Sequence, residues 1–248
     1  MSVAAGMLAG VPNAVPNALL DLILPPACAG CGAKGPRCCA ACLAELTARP
    51  ARRLPHPCPP GLPDCWSASP YDGRTRRTLL AYKERGAVTL AAALAEALAF
   101  TAVTALSRTP GALRALAAGF AVVPVPSTRA TAGARGHDPV ARLALLAARA
   151  LCALGLPAHP WNGLTQVRSV TDQAGLSSAE RAANLAGSLR VSRPATGPPA
   201  PCALLVDDIV TTGATLAEAA RALRAAGTPV PLAVTVAATR RRSKKALQ

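Results

Sequence analysis

Aromatic side chains are nearly missing: two Trp, two Tyr and two Phe are spread over 248 residues. Trp66, Tyr71, Tyr82, Phe100, Phe120 and Trp161 are too scattered to build a stacking platform for bases. Any contact with nucleic acid would therefore run through phosphates and fall steeply with salt. Acids are scarce as well, 12 against 27 Lys and Arg, which leaves a formal net charge of +15. All but four of those cations are Arg, a field that attracts polyanions. The same excess also follows from the Arg- and Ala-rich vocabulary of a GC-rich genome, so charge alone decides nothing. No segment has the length and purity of a membrane span, since the apolar stretch from Val11 to Leu24 is broken by Pro16 and Asp21. No Lys or Arg precedes Lys34, so the basic leader of a secretory signal is missing. The expectation is a cytoplasmic protein, in which nine cysteines read as metal ligands or buried thiols in preference to disulfides.

What is present is an apolar half, 51% of the chain, mostly Ala, Leu and Val, which excludes global disorder. Residues 25–66 hold seven of the nine cysteines and many prolines without a sustained hydrophobic period, as expected of short loops pinned by something other than an apolar core. Beyond Ala68 the pattern alternates. Leu90 to Leu106 reads as a helix, Ala121 to Val125 as a buried strand, and Pro139 to Leu154 as a helix capped by Asp138 and stopped by Gly155 and Pro157. A polar stretch, Leu164 to Ser178, leads into a short helix from Ala179 to about Ala186. A Pro/Gly linker from Pro194 to Pro201 precedes a strand, Cys202 to Val206. After Asp207 and Asp208 the chain turns into a helix from about Ala214 to Ala226, closed by Gly227, and a last strand spans Val230 to Ala238. Strands separated by helices predict an α/β fold with a parallel sheet flanked by helices. The expected organisation is an N-terminal helix and cysteine module at 1–66, an α/β domain at 67–239 and a basic tail at 240–248.

The block from Leu204 to Thr215 carries the most chemistry. An apolar strand delivers Asp207 and Asp208 to its carboxyl end, where ligands bind in open α/β sheets. Thr211, Thr212, Gly213, Ala214 and Thr215 then open a helix. Gly213 lets backbone amides approach an anion, the helix start adds free N–H groups, and the threonine hydroxyls can donate to the same oxygens. Carboxylates beside a phosphate cradle suit a sugar phosphate: ribose hydroxyls need acceptors and the phosphate needs donors.

Upstream, Cys28-Ala-Gly-Cys31 and Cys39-Ala-Ala-Cys42 form two C-x2-C knuckles. Four thiolates at that spacing can close a tetrahedron around Zn²⁺, with Gly30 and Gly32 easing the first turn. Cys38 competes with Cys39 for the third position. Such a closed site is structural and would fold a segment with no core of its own. Cys58 and Cys65, near His56, read as the remnant of a second pair, and Cys152 and Cys202 as core.

The Leu204–Thr215 block resembles the signature of type I phosphoribosyltransferases, which bind phosphoribosyl pyrophosphate (PRPP). The resemblance implies that Asp207 and Asp208 hold the ribose hydroxyls, that Thr211 to Thr215 hold the 5′-phosphate, and that Mg²⁺ arrives chiefly with PRPP. Pyrophosphate needs cations opposite that cradle, and Lys83, Arg129 and Arg135 are the candidates. Arg168, Gln173, Leu176, Arg181 and Asn184, spaced R-x4-Q-x2-L-x4-R-x2-N, fall where a mobile lid would close, with Arg168, Gln173, Arg181 and Asn184 as its polar residues. Together with Tyr82-Lys83-Glu84-Arg85-Gly86, the strand at Val122 to Pro126 and the cysteine knuckles, these residues resemble the ComF/GntX branch, which places a zinc module before a phosphoribosyltransferase-like domain. His137 and Asp138 depart from that branch, where an aromatic and an Asn usually follow Arg-Gly; they read as a turn residue and a helix cap.

Two functions follow as expectations. One is transfer of phosphoribose from PRPP to a nitrogenous base with release of pyrophosphate. The other, implied by the ComF resemblance, is a PRPP-binding accessory protein of DNA uptake that contacts single-stranded DNA and DNA-uptake or helicase partner proteins.

Overall fold

A computed structural model describes residues 27–127, 138–168, 178–192 and 198–239. The expected N-terminal helix, Arg129, Arg135, His137, Gln173, Leu176, much of the Pro/Gly linker and the basic tail lie outside the described residues.

Eight strands and seven α-helices are described. The strands are β1 (Ala51–Arg52), β2 (Asp64–Pro70), β3 (Phe120–Pro124), β4 (Ala158–Pro160), β5 (Leu164–Gln166), β6 (Leu189–Val191), β7 (Ala203–Val210) and β8 (Leu232–Ala238). The helices are α1 (Ala40–Thr47), α2 (Gly73–Glu84), α3 (Ala91–Arg108), α4 (Pro110–Leu116), α5 (Pro139–Ala153), α6 (Ser178–Leu185) and α7 (Ala214–Ala225). Six strands form one sheet in the order β1-β2-β8-β7-β3-β4, and all neighbours pair in parallel except β1 with β2. The expected α/β architecture is therefore present, with a four-cysteine cluster at its N-terminal side.

Every residue of β3 and β8 is buried, the mark of strands covered on both faces. One face packs Leu204, Val206 and Val234 against Leu94 and Leu98 of α3 and Leu143 and Leu151 of α5. The opposite face packs Val123, Leu205 and Ala233 against Leu216 and Leu223 of α7. From Ala203 to Val206 the even-numbered residues of β7 thus face α3 and α5 while the odd-numbered ones face α7, as the pleat requires; past the acid pair the parity reverses, with Ile209 on the α3 and α5 side and Val210 on the α7 side. Against the expectation that no segment has the length of a membrane span, the helix starting at Val88 and running through Arg108 is long and apolar enough to cross a bilayer; 56% of its apolar window is buried inside the fold.

Several local expectations hold. Asp138 caps α5 by accepting from the N–H groups of Val140 and Ala141, with Pro139 at the first position. Others shift. β7 continues past Asp208 to Val210, because β8 keeps pairing with it as far as Val210 opposite Ala238. The polar stretch after Leu164 begins with β5, which pairs with β6 as a separate two-stranded sheet. The second cysteine knuckle leads into α1, and β2 runs across residue 66, so residues with a cysteine-rich composition already belong to the large sheet. Cys202 is core, but Cys152 is exposed, its thiol donating to the Ala158 carbonyl at 2.8 Å.

Candidate functional site

β7 sits in the middle of the large sheet, so its carboxyl end opens between neighbouring strand ends, the place where α/β sheets hold ligands. Asp207 and Asp208 lie within the strand, and the pleat sends them to opposite faces. Asp207 faces the α7 side and lines a small concavity of about 20 Å³ together with Thr211, Gly213 and Thr215. That is room for about one water, so the turn offers a floor and not a deep pocket. The Asp207 carboxyl accepts the N–H of Asp208 at 2.8 Å. Burial, together with the adjacent Asp208 carboxylate, pushes it well above the ordinary carboxylate range; the N–H of Asp208 and the charge of Lys83 act the other way.

Asp208 points to the other face, its side chain only 5% exposed. Its Oδ2 is compensated by charge, with Lys83 Nζ 2.7 Å away, although no donor is aligned with that oxygen as a hydrogen bond. Lys83 stands in the last turn of α2, and its side chain is 29% exposed. Beside it, the buried Tyr82 donates its hydroxyl to the Pro139 carbonyl at 2.8 Å, fastening the end of α2 to the start of α5. Asp138 also reaches back to the end of β3, accepting from the Ser127 hydroxyl at 3.1 Å and from the Ser127 N–H at 3.3 Å.

Gly213 adopts φ +75°, which favours glycine, and α7 opens on it without a side-chain cap. The free N–H groups of a helix start therefore face the turn. Thr212 Oγ1 accepts the N–H of Ala214 at 3.4 Å, bracing the turn from within. Thr211 is exposed, Thr212 and Thr215 are partly exposed, and Gly213 and Ala214 are buried. A Cβ on Gly213 would come within 2.9 Å of Pro55 Cγ and 3.2 Å of a Leu62 methyl. The linker between the cysteine cluster and β2 thus lies against the turn, held further by Arg224, which donates to the Gly61 carbonyl.

Among the lid candidates, Arg168 and Asn184 are brought together: Arg168 donates to the carbonyls of Asn184 at 2.6 Å and Ala186 at 2.9 Å. It thereby satisfies the last carbonyls of α6, as basic residues do at helix ends. Arg181 lies on α6, which packs on α7, the helix that starts at the turn.

The four knuckle cysteines converge. The sulfurs of Cys28, Cys31, Cys39 and Cys42 all lie within 4.8 Å of one another, with Cys31 and Cys39 at 3.7 Å. A tetrahedral site with metal–sulfur bonds of about 2.3 Å has edges of about 3.8 Å, so the set fits a structural metal such as zinc. Cys39, not Cys38, joins the set. Cys38 packs against the apolar core, and burial followed by the neighbouring thiols pushes it up to about 11. Burial would also raise Cys28, but the backbone N–H groups of Cys39, Cys31 and Gly30 outweigh it and bring the thiol down to about 6. Gly30 is required there, since a Cβ would come within 2.8 Å of Cys42 Sγ.

The chain matches no family model and no curated protein.

Sequence reasoning missed three participants: Pro55 and Leu62, which press on Gly213, and Ser127, which Asp138 ties to the end of β3. Nothing local marks the first two, because their contacts span the whole domain in sequence. A wider groove of about 1180 Å³, lined in part by Trp161, Arg190 and Arg221, lies between the β5–β6 pair and α7 and shares no residue with the concavity at Asp207. Arg221 in that groove is already committed to the buried Glu218.

Proposed function

We propose that the chain is a PRPP-binding protein of the ComF/GntX kind that transfers phosphoribose to a nitrogenous base. The supporting observation is that Asp207, Thr211, Gly213 and Thr215 line one concavity at the carboxyl end of a central parallel strand. The 5′-phosphate would rest on the floor of the turn, taking hydrogen bonds from the helix-start N–H groups and threonine hydroxyls. Asp207 would accept from a ribose hydroxyl. Asp208 has a second task, holding Lys83 at the crevice where negative charge grows as pyrophosphate leaves.

In the transfer the C1′–oxygen bond to pyrophosphate breaks with both electrons going to the leaving group. The lone pair of the base nitrogen forms the new C1′–nitrogen bond. The protein's share is positioning and charge stabilisation. Mg²⁺, carried by PRPP, would neutralise pyrophosphate charge. Zn²⁺ is the metal assigned to the four cysteines.

Calorimetry of PRPP binding tests this reading. Asp207→Asn with Asp208→Asn is expected to abolish binding with the circular dichroism spectrum unchanged. Undiminished affinity in that double variant would refute the site.

A further inference from the structure

Helix α2 touches both chemical centres. In its first half Arg74 pairs with Glu45 of α1 at 2.7 Å, and Arg77 Nε donates to the Gly30 carbonyl, inside the first cysteine knuckle, at 2.6 Å. Thr78 Oγ1 lies 3.1 Å from where a Cβ on Gly30 would stand, so knuckle and helix are in van der Waals contact. In its last turn Lys83 reaches Asp208 and Tyr82 is pinned to Pro139. Arg77 and Lys83 are six positions, about 9 Å of helix, apart. An α-helix of this length transmits a displacement at one end to the other, because its hydrogen bonds fix the intervening backbone.

Resting on the sugar-phosphate reading above, we propose that α2 couples the four-cysteine cluster to the acid pair, with Arg77 as the positioning residue that sets Lys83 through the first knuckle. Metal in the cluster fixes the Cys28–Cys31 turn, which holds only Cys28 and Gly30 as buried residues. Without metal the four sulfurs have no common partner, the Gly30 carbonyl loses its fixed place, and Arg77 loses its acceptor. α2 then keeps its contacts with β2, Thr75 to Ser69 at 3.0 Å among them, but loses its tie to the knuckle, and Lys83 shifts more readily against Asp208. Ligand at the acid pair does the converse: by engaging Lys83 it steadies α2 and therefore the knuckle. Coupling of this kind is reciprocal, so the sugar phosphate should tighten metal by the same factor that metal tightens the sugar phosphate.

The experiment uses the zinc-loaded full chain. Zinc affinity is measured by competition with a chromogenic chelator, with and without saturating PRPP, and PRPP binding is checked separately by calorimetry. The expected result is a zinc affinity about fivefold or more higher with PRPP, within the usual range of coupling between sites. Arg77→Ala should retain zinc and still bind PRPP, but lose that gain. Equal zinc affinity with and without bound PRPP overturns the proposal, as does a gain that survives in Arg77→Ala. A second arm needs no ligand: zinc removal should raise amide hydrogen exchange from Leu79 to Lys83 while Leu143 to Leu151 of α5 stay protected. Unchanged protection of α2 overturns the coupling on its own. Failure of PRPP to bind the zinc-loaded protein would remove the functional reading, and the exchange arm would then decide the coupling.

Discussion

Between Ala27 and Pro50 only Cys28, Gly30, Cys42 and Leu46 are buried, whereas every residue of β3 and β8 is. Two of the four buried residues in the first region are thiols facing one another, and the glycine is there to let a sulfur pass. The sheet fills its interior with Leu, Val and Ala from both faces. One region takes its cohesion from four convergent ligands, the other from area removed from water. Each should therefore fail under a treatment that spares the other.

The largest separation is expected from metal removal. Metal binding to structural thiolate sites of this size is worth about 10–16 kcal/mol in isolated modules, far more than any single side chain in the sheet. Chelation, or Cys42→Ala, should open the segment around Lys34, Arg37 and Arg49 to trypsin while the sheet persists. Protection of those three sites in the metal-free chain would show that the cluster does not hold the segment. Next comes Leu205→Ala. This side chain is fully buried between β7 and α7, so truncation should cost about 2–5 kcal/mol in urea unfolding and leave zinc affinity untouched. A zinc affinity that fell with it would mean that the two regions are one cooperative unit.

Gly213→Ala probes the seam between them. The substitution meets both a left-handed backbone and a contact of 2.9 Å to Pro55, so a loss of about 1–3 kcal/mol is expected, with weaker PRPP binding. Unaltered stability would mean that the linker does not press on the turn.

The comparison also explains what the sequence disclosed. Asp138 followed by Pro139, the run Ala121 to Val125 and the paired C-x2-C knuckles announce their structures through neighbours a few residues apart, and those features were legible. The reach of β7 to Val210 was not, because its last pairs depend on β8. Once the strand includes both acids, its two-residue period sends Asp207 and Asp208 apart. The Lys83–Asp208 contact, the Pro55 and Leu62 packing on Gly213, and the use of Arg168 at the end of α6 all join segments distant in sequence. No local pattern encodes them.

Asp207→Asn should change stability with the opposite sign. Burial and the Asp208 carboxylate raise the Asp207 carboxyl well above its ordinary value near 3.8, so between that value and the raised one the native state keeps a proton that the unfolded chain has released. Stability then falls as pH rises through that window, and above it the full penalty of an enclosed charge is present. Asparagine carries no such penalty. The variant should melt with the wild type near pH 4 and increasingly above it toward neutral pH, the gap widening with pH although sugar-phosphate binding is lost. Comparing the two proteins at each pH cancels any loss of metal from the cysteines in acid. A wild type that melts higher at neutral pH, or a gap that does not change with pH, would mean that Asp207 is not strained in the free protein, and that the acid pair is held by stability and not kept for a ligand.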